Sequence, residues 1–177
     1  PAAANMLTPY LTVADADQAL AFYAQAFGFK AGEPAMKDGN GKTVHGELSY
    51  EGRSIAMVSP EGAWGGTDRT PRNAGLRLPL NFYVYCGDVD RLAASAKASG
   101  ATIEREPADQ FWGDRTTTIV DPDGYLWMFA QKVGEFQRTL DRIKPFGWHI
   151  DLHFDAGDLL EHDALLKSLP VPFIIDH

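Results

Sequence analysis

The chain has 177 residues, a formal charge of −8, and 45% hydrophobic and 11% aromatic residues. That length suits one domain with an appendage, and that apolar content fills a core, so a disordered chain is excluded. The acidic balance argues against nucleic acid, and no run approaches the ~18 apolar residues of a membrane span, so neither is an expected partner.

Residues 1–6 show no basic or apolar signal region, so no signal peptide is expected. The lone Cys86 fits a reducing, cytoplasmic compartment. Tyr10 to Val13 alternates as a strand. Asp15 follows as a helix cap, with Gln18 at capping-box spacing. Leu20, Tyr23 and Phe27 then share a helical face, and Gly28 ends the helix. Strand patterns at 43–50 and 53–58 flank a turn at Glu51-Gly52. Residues 60–78 hold Gly62, Gly65, Gly66, Pro71 and Gly75 and read as a linker. Trp64 within it is a lid or a packing anchor.

The pattern then repeats. At an offset of 73, Tyr10 meets Tyr83, Asp15 meets Asp88 and Asp17 meets Asp90. The second copy has a strand at Phe82 to Cys86 and a helix with Val89, Leu92, Ala93 and Ala96 on one face. Gly100 closes that helix. Strands at 116–120 and 125–130 flank Asp121-Pro122-Asp123-Gly124. The unit is a strand, a helix and about three strands, used twice. The expected fold is α+β: two tandem βαβββ modules, about 6–59 and 79–132, within a domain of residues 1–133.

Alternation assigns the faces. Leu11 and Val13 go to the helix side, which leaves Thr8, Tyr10 and Thr12 on the concave side. Asn81, Tyr83 and Tyr85 match them in the second copy. Met128 shares that side, and Cys86 packs toward the helix as a structural thiol. His45 and Glu47, two apart on one strand, form a candidate acid–base pair or lie on a solvent-facing edge. Trp112 offers a flat apolar face to a ligand, and Arg115 a fork for a carboxylate or phosphate. Alternatively, Trp112 packs the mouth of the sheet and Arg115 pairs with a nearby acid.

The stretches TPYLTVADADQALAFYAQAFGF (8–29), HGEL (45–48), ADQFWGDR (108–115) and DPDGYLWMF (121–129) resemble the vicinal oxygen chelate superfamily. This group includes glyoxalase I, extradiol dioxygenases and bleomycin-resistance proteins, and the likeness is nearest to its PhnB-like branch. The resemblance implies two modules curling around a cavity, and a homodimer that shares cavities across its interface. In metal-using members, ligands come from positions that match Thr8, Ala56, Asn81 and Met128. The fourth-strand position is uncertain by one residue, to Met57. None of these is His, Glu, Asp or Cys, so no metal cofactor is expected. The expected function is binding of a small organic molecule in the cavity, through Thr8, Tyr10, Asn81, Tyr83, Trp112, Arg115 and Met128. The alternative is a lyase, isomerase or dioxygenase that uses His45 and Glu47, or an atypical divalent metal site.

Residues 134–177 break the pattern. They read as a short helix over 134–146 with Phe136, Leu140 and Ile143 on one side, and a strand at 148–155. A helix at 159–169 capped by Asp158 and a strand at 173–176 complete a βαβ-like extension. GWHIDLHFDAGDLL and LLKSLPVPFIIDH resemble a fragment of a (β/α)8 amidohydrolase of the 2-pyrone-4,6-dicarboxylate lactonase type. Such barrels need about 250 residues, so no hydrolase activity is expected. The tail is a piece of a fusion, an unrelated joined segment or a docking element. His149 and His153, four apart on a strand, stand too far from each other to share one metal.

Overall fold

A computed structural model describes residues 6–32, 35–134, 140–153, 169 and 171–176. The first module runs β1 (Tyr10–Val13), α1 (Ala16–Phe27), β2 (Lys30–Ala31), β3 (Met36–Lys37), β4 (Thr43–Tyr50) and β5 (Arg53–Pro60). The second runs β6 (Asn81–Tyr85), α2 (Val89–Ala98), β7 (Thr102–Asp109), β8 (Asp114–Val120) and β9 (Leu126–Lys132). Sheet one has the order β1-β5-β4-β2, with β3 also paired to β4. Sheet two has the order β6-β9-β8-β7. In both, the first strand lies parallel to the last: Tyr10 pairs with Met57, and Tyr83 with Met128. The architecture is α+β, with two βαβββ sheets.

Local chemistry explains the element ends. The Asp15 and Asp88 carboxylates accept from the backbone N–H of Gln18 (3.0 Å) and Arg91 (2.9 Å), capping both helices as expected. Gly28 closes α1 in the left-handed region, at φ 72°. Helix α2 ends at Ala98, and Gly100 takes the left-handed turn just beyond it. Glu51 and Gly52 both have positive φ, the two-residue hairpin geometry that suits the twist of β4 and β5. Trp64 sits on a short 3-10 turn (Ala63–Gly65), 68% exposed, so it anchors no packing.

The helix-facing sides of both sheets meet in one core. Leu11, Val13, Leu48 and Val58 of sheet one share it with Ile119, Trp127 and Phe129 of sheet two. Helix α1 is the hinge of this packing. Its Phe27 ring lies 4.8 Å from Phe129, and Tyr23 meets Trp127 edge-on at 5.5 Å. Cys86 is half-buried against this core, and burial pushes its thiol pKa up, which suits an inert thiol.

The 121–124 turn is the second joint. Asp121, 1% exposed, accepts from Tyr23 Oη (2.7 Å) and Trp127 Nε1 (2.9 Å). Asp123 accepts from the Ala14 N–H at 3.0 Å. Tyr125 Oη accepts from the Thr12 N–H (3.0 Å) and donates to the Thr12 carbonyl (2.9 Å). The linker packs on the same turn. Glu61 holds Thr70 N–H (2.7 Å) and Asn73 Nδ2 (3.0 Å), and the Arg72 N–H donates to the Asp123 carbonyl (2.9 Å). Gly124 has φ 95°, and a Cβ there would stand 3.0 Å from Arg72 N and 3.3 Å from Pro71 Cβ. Gly124→Ala is therefore expected to cost about 2 kcal/mol, from a strained φ and a backbone clash, read as a lower urea midpoint.

By its contacts the chain falls into two compact units: Pro1–Ala108 with Arg115–Gln131, and Asp109–Asp114 with Lys132–His177. In the second unit, residues 140–143 form a helical turn, followed by a 3-10 turn (Lys144–Phe146). Strands β10 (Ile150–His153) and β11 (Phe173–Asp176) pair in parallel, Ile150 with Phe173. The expected helix at 159–169, its Asp158 cap, Phe136, His162 and His177 lie outside the described residues, apart from Leu169, which lies in no helix. No helix among the described residues is long and apolar enough to cross a membrane.

Candidate functional site

The sides of the sheets that face away from the helices carry the candidate site. On β4, Gly46 abuts Leu20 of α1 and Leu48 is fully buried, so His45 and Glu47 project to the other side. There Glu47, Met57 and Tyr10 align across three strands. Tyr10 Oη and His45 Nδ1 lie 2.7 Å apart, and their rings stack at 5.5 Å. His45 and Glu47 lie on one face of β4, as alternation predicts. His45 has Tyr10 as its partner, and no described carboxylate lies within ion-pairing distance of it. The i, i+2 spacing sets the Cα atoms of His45 and Glu47 about 7 Å apart, with both side chains on one face. Glu47 is exposed.

Sheet two offers an aromatic counterpart. Asn81, Tyr83 and Tyr85 alternate outward on β6, and the two tyrosines meet edge-on at 5.5 Å. Met128 lies beside Tyr83 in register. Tyr10, Tyr83 and Tyr85 are each more than 40% exposed, unusual for a row of rings on sheet strands. Thr8, two residues before Tyr10, is half-buried at the start of the same row.

Two further expected site residues, Arg115 and Trp112, have partners of their own. Arg115 shares its side of β8 with Thr117 and the core residue Ile119. Its guanidinium grips Asp90 in the first turn of α2 with two bonds, at 2.7 and 2.9 Å. That fork is engaged on the helix side, so Arg115 clamps β8 to α2, the pairing with a nearby acid that was the alternative reading. Asp90 is held below the usual carboxylate range, chiefly by this bond. Trp112 belongs to the second unit, where its Nε1 donates to Asp114 (3.2 Å) and its ring meets Phe111 at 5.0 Å.

The family described as the Glyoxalase/Bleomycin resistance protein/Dioxygenase superfamily matches residues 5–129. The chain belongs to this superfamily. An uncharacterized protein of Mycobacterium bovis is 35% identical to it over 141 residues, 78% of this chain and 89% of that one. Among solved structures, TioX from Micromonospora sp. ML1 is 25% identical with a TM-score of 0.54, covering 73% of this chain and 98% of its own. TnmS3, an antibiotic binding protein from Streptomyces sp. CB03234, is 19% identical with a TM-score of 0.52, covering 75% and 98%.

The superfamily's metal positions can be tested against this chain. The fourth-strand position is Met57, not Ala56. Ala56 is 1% exposed and pairs with the core residue Leu48. The cause is a bulge. Ser49 pairs with Ser54 but Leu48 with Ala56, so Ile55 is an extra residue and the face flips. The donor set is then Thr8, Met57, Asn81 and Met128: two thioethers and two neutral oxygen groups. Such a set does not fit a divalent ion that calls for imidazole or carboxylate. Among the described residues no group of three His, Cys, Asp or Glu side chains gathers elsewhere.

Sequence reasoning missed the joint at Asp121, Asp123 and Tyr125, and with it Glu61 and Arg72. The motif DPDGY reads locally as a turn. The available signal was two carboxylates directly before an aromatic strand, with no basic neighbour in sequence.

Proposed function

We propose that this chain binds a small organic molecule on the aromatic faces of its sheets, without a divalent metal, in a homodimer. One observation carries this reading. Within a chain the two sheets join through their helix-facing sides, and the opposite faces carry the rings of Tyr10, Tyr83 and Tyr85, each more than 40% exposed. A second copy would close those faces into cavities lined by Tyr10, His45, Glu47, Asn81, Tyr83 and Met128. Rings at such positions favour a flat, conjugated ligand. TnmS3, described as an antibiotic binding protein, supports a small organic ligand. Within the superfamily the ADQFWGDR and DPDGYLWMF motifs favour the PhnB-like branch. The tail, with two described strands, supports no hydrolase reading.

The test is a fluorescence titration with a panel of conjugated aromatic antibiotics, alongside light scattering for mass. Saturable binding that survives EDTA, a dimeric mass and at least tenfold weaker binding by Tyr83→Ala are expected. Stoichiometric tightly held metal, or no binding across the panel, overturns the reading.

The Tyr10–His45 contact supports a second reading, acid–base catalysis. A phenol donating to Nδ1 leaves the other ring nitrogen as the N–H donor and orients the ring. In that case His45→Ala abolishes turnover of a bound ligand, while Glu47→Gln lowers it.

A further inference from the structure

The helix side of sheet one holds a cavity that the reading above does not use. It measures about 240 Å³ and lies where β1 passes into α1, against the 121–124 turn. Ala19, Phe22, Tyr23 and Pro122 give it apolar walls, and Asp15 and Asp123 bring two carboxylates. Among the described residues no Lys, Arg or His lines it.

The two carboxylates differ. Asp15 caps α1 with one oxygen and pairs with Lys42 Nζ through the other, at 3.1 Å. Asp123 is only 9% exposed. Its Oδ1 accepts from the Ala14 N–H, and Oδ2 takes no donor from a described residue. Among the described residues no fully buried side-chain oxygen lacks a partner, so Oδ2 keeps some accessible surface, and Asp123 lines the cavity. Burial pushes this carboxyl up to about 6, and the charges of Asp121 and Glu61 add to that, while Arg72 pulls the other way. Arg72 itself donates to the carbonyls of Asp121 and Pro122 and makes no ion pair with Asp123. The buried carboxylate therefore has no cation of its own.

We propose that this cavity is a binding site for a small organic monocation, an amine or amidine carried on an apolar body. The cationic N–H groups reach Asp123 Oδ2 as a charge-assisted bond. The body lies against Phe22 and Tyr23, whose ring faces also attract a cation. The volume admits one ring with a short polar arm. A hard metal ion needs six or more oxygens, which these walls do not supply. A neutral aromatic fits the walls but leaves the Asp123 carboxylate unpaired.

The probes are benzamidine and benzylamine, with benzyl alcohol as the neutral control. They are titrated into the full chain at pH 7.5 by calorimetry and by NMR. Saturable binding of the two cations is expected, with benzyl alcohol at least tenfold weaker. Asp123→Asn keeps an acceptor for Ala14 and is expected to weaken benzamidine at least tenfold. Gln18→Lys sets a competing charge at the exposed rim and lowers affinity similarly, without touching a buried group. Near pH 6, binding releases about half a proton, read from heats in buffers of different ionisation enthalpy, and at pH 8 almost none. Unchanged affinity in folded Asp123→Asn or in Gln18→Lys overturns the proposal. So does the absence of saturable binding by both cations, or shift changes confined to Tyr10 and Tyr83.

Discussion

Asp121→Ala is expected to destabilise the chain by about 3–5 kcal/mol, the largest loss from any single polar side chain among the described residues. The carboxylate is sealed, at 1% exposure, and serves four donors. Oδ2 takes Tyr23 Oη and Trp127 Nε1, and Oδ1 takes the N–H of Asp123 (3.0 Å) and of Tyr125 (2.9 Å). Alanine leaves all four donors buried, among them side chains of residues only 1% and 2% exposed. Water cannot reach them without opening the core between the modules. Tyr23→Phe removes one donor and leaves three, so it should cost only about 1–2 kcal/mol. Urea denaturation of both variants checks the contrast. A loss below about 1 kcal/mol for Asp121→Ala would show that the aromatic core alone joins the modules.

The period-2 alternation of HGELSY and NFYVY placed His45, Glu47, Asn81, Tyr83 and Tyr85 on the faces they occupy. A strand's pleat is a local property, so short segments suffice to read it. Both helix caps were legible for the same reason. Three features were not. The partner of His45 stands 35 residues away on β1, and the pair meets only because β1 and β4 flank β5. The Met57 position depended on a bulge at Ile55, and nothing in RSIAMV marks one. Asp121 looks like an ordinary turn residue until Tyr23 and Trp127 arrive from elsewhere in the chain. The family's fold was thus readable from local pattern and motif. The side-chain pairings of the site and of the joint depended on long-range topology.

The Asp123 carboxyl makes the fold weaken as pH rises through 6. Its pKa is about 6 in the folded chain against about 3.9 when unfolded. Between those values the folded state holds a proton that the unfolded state has released. Its contribution is therefore fully present below about pH 4 and lost as pH rises through about 6, a change of about 2–3 kcal/mol. Asp15, Asp17, Asp38, Glu61, Asp90 and Glu104 act in the opposite sense. Each is held below its ordinary value by hydrogen bonds, so each loses its contribution as pH falls through its lowered pKa. The two windows overlap little, and the difference between wild type and Asp123→Asn isolates one group. Asparagine keeps an acceptor for the Ala14 N–H and carries no proton to lose. Relative to wild type, Asp123→Asn should gain about 2 kcal/mol between pH 4 and pH 7.5, measured by urea denaturation at each pH. Parallel stability curves for the two proteins would mean that Asp123 titrates as it does in the unfolded chain. An organic cation bound at Oδ2 should flatten the wild-type curve above pH 6, because it stabilises the ionised form that burial disfavours.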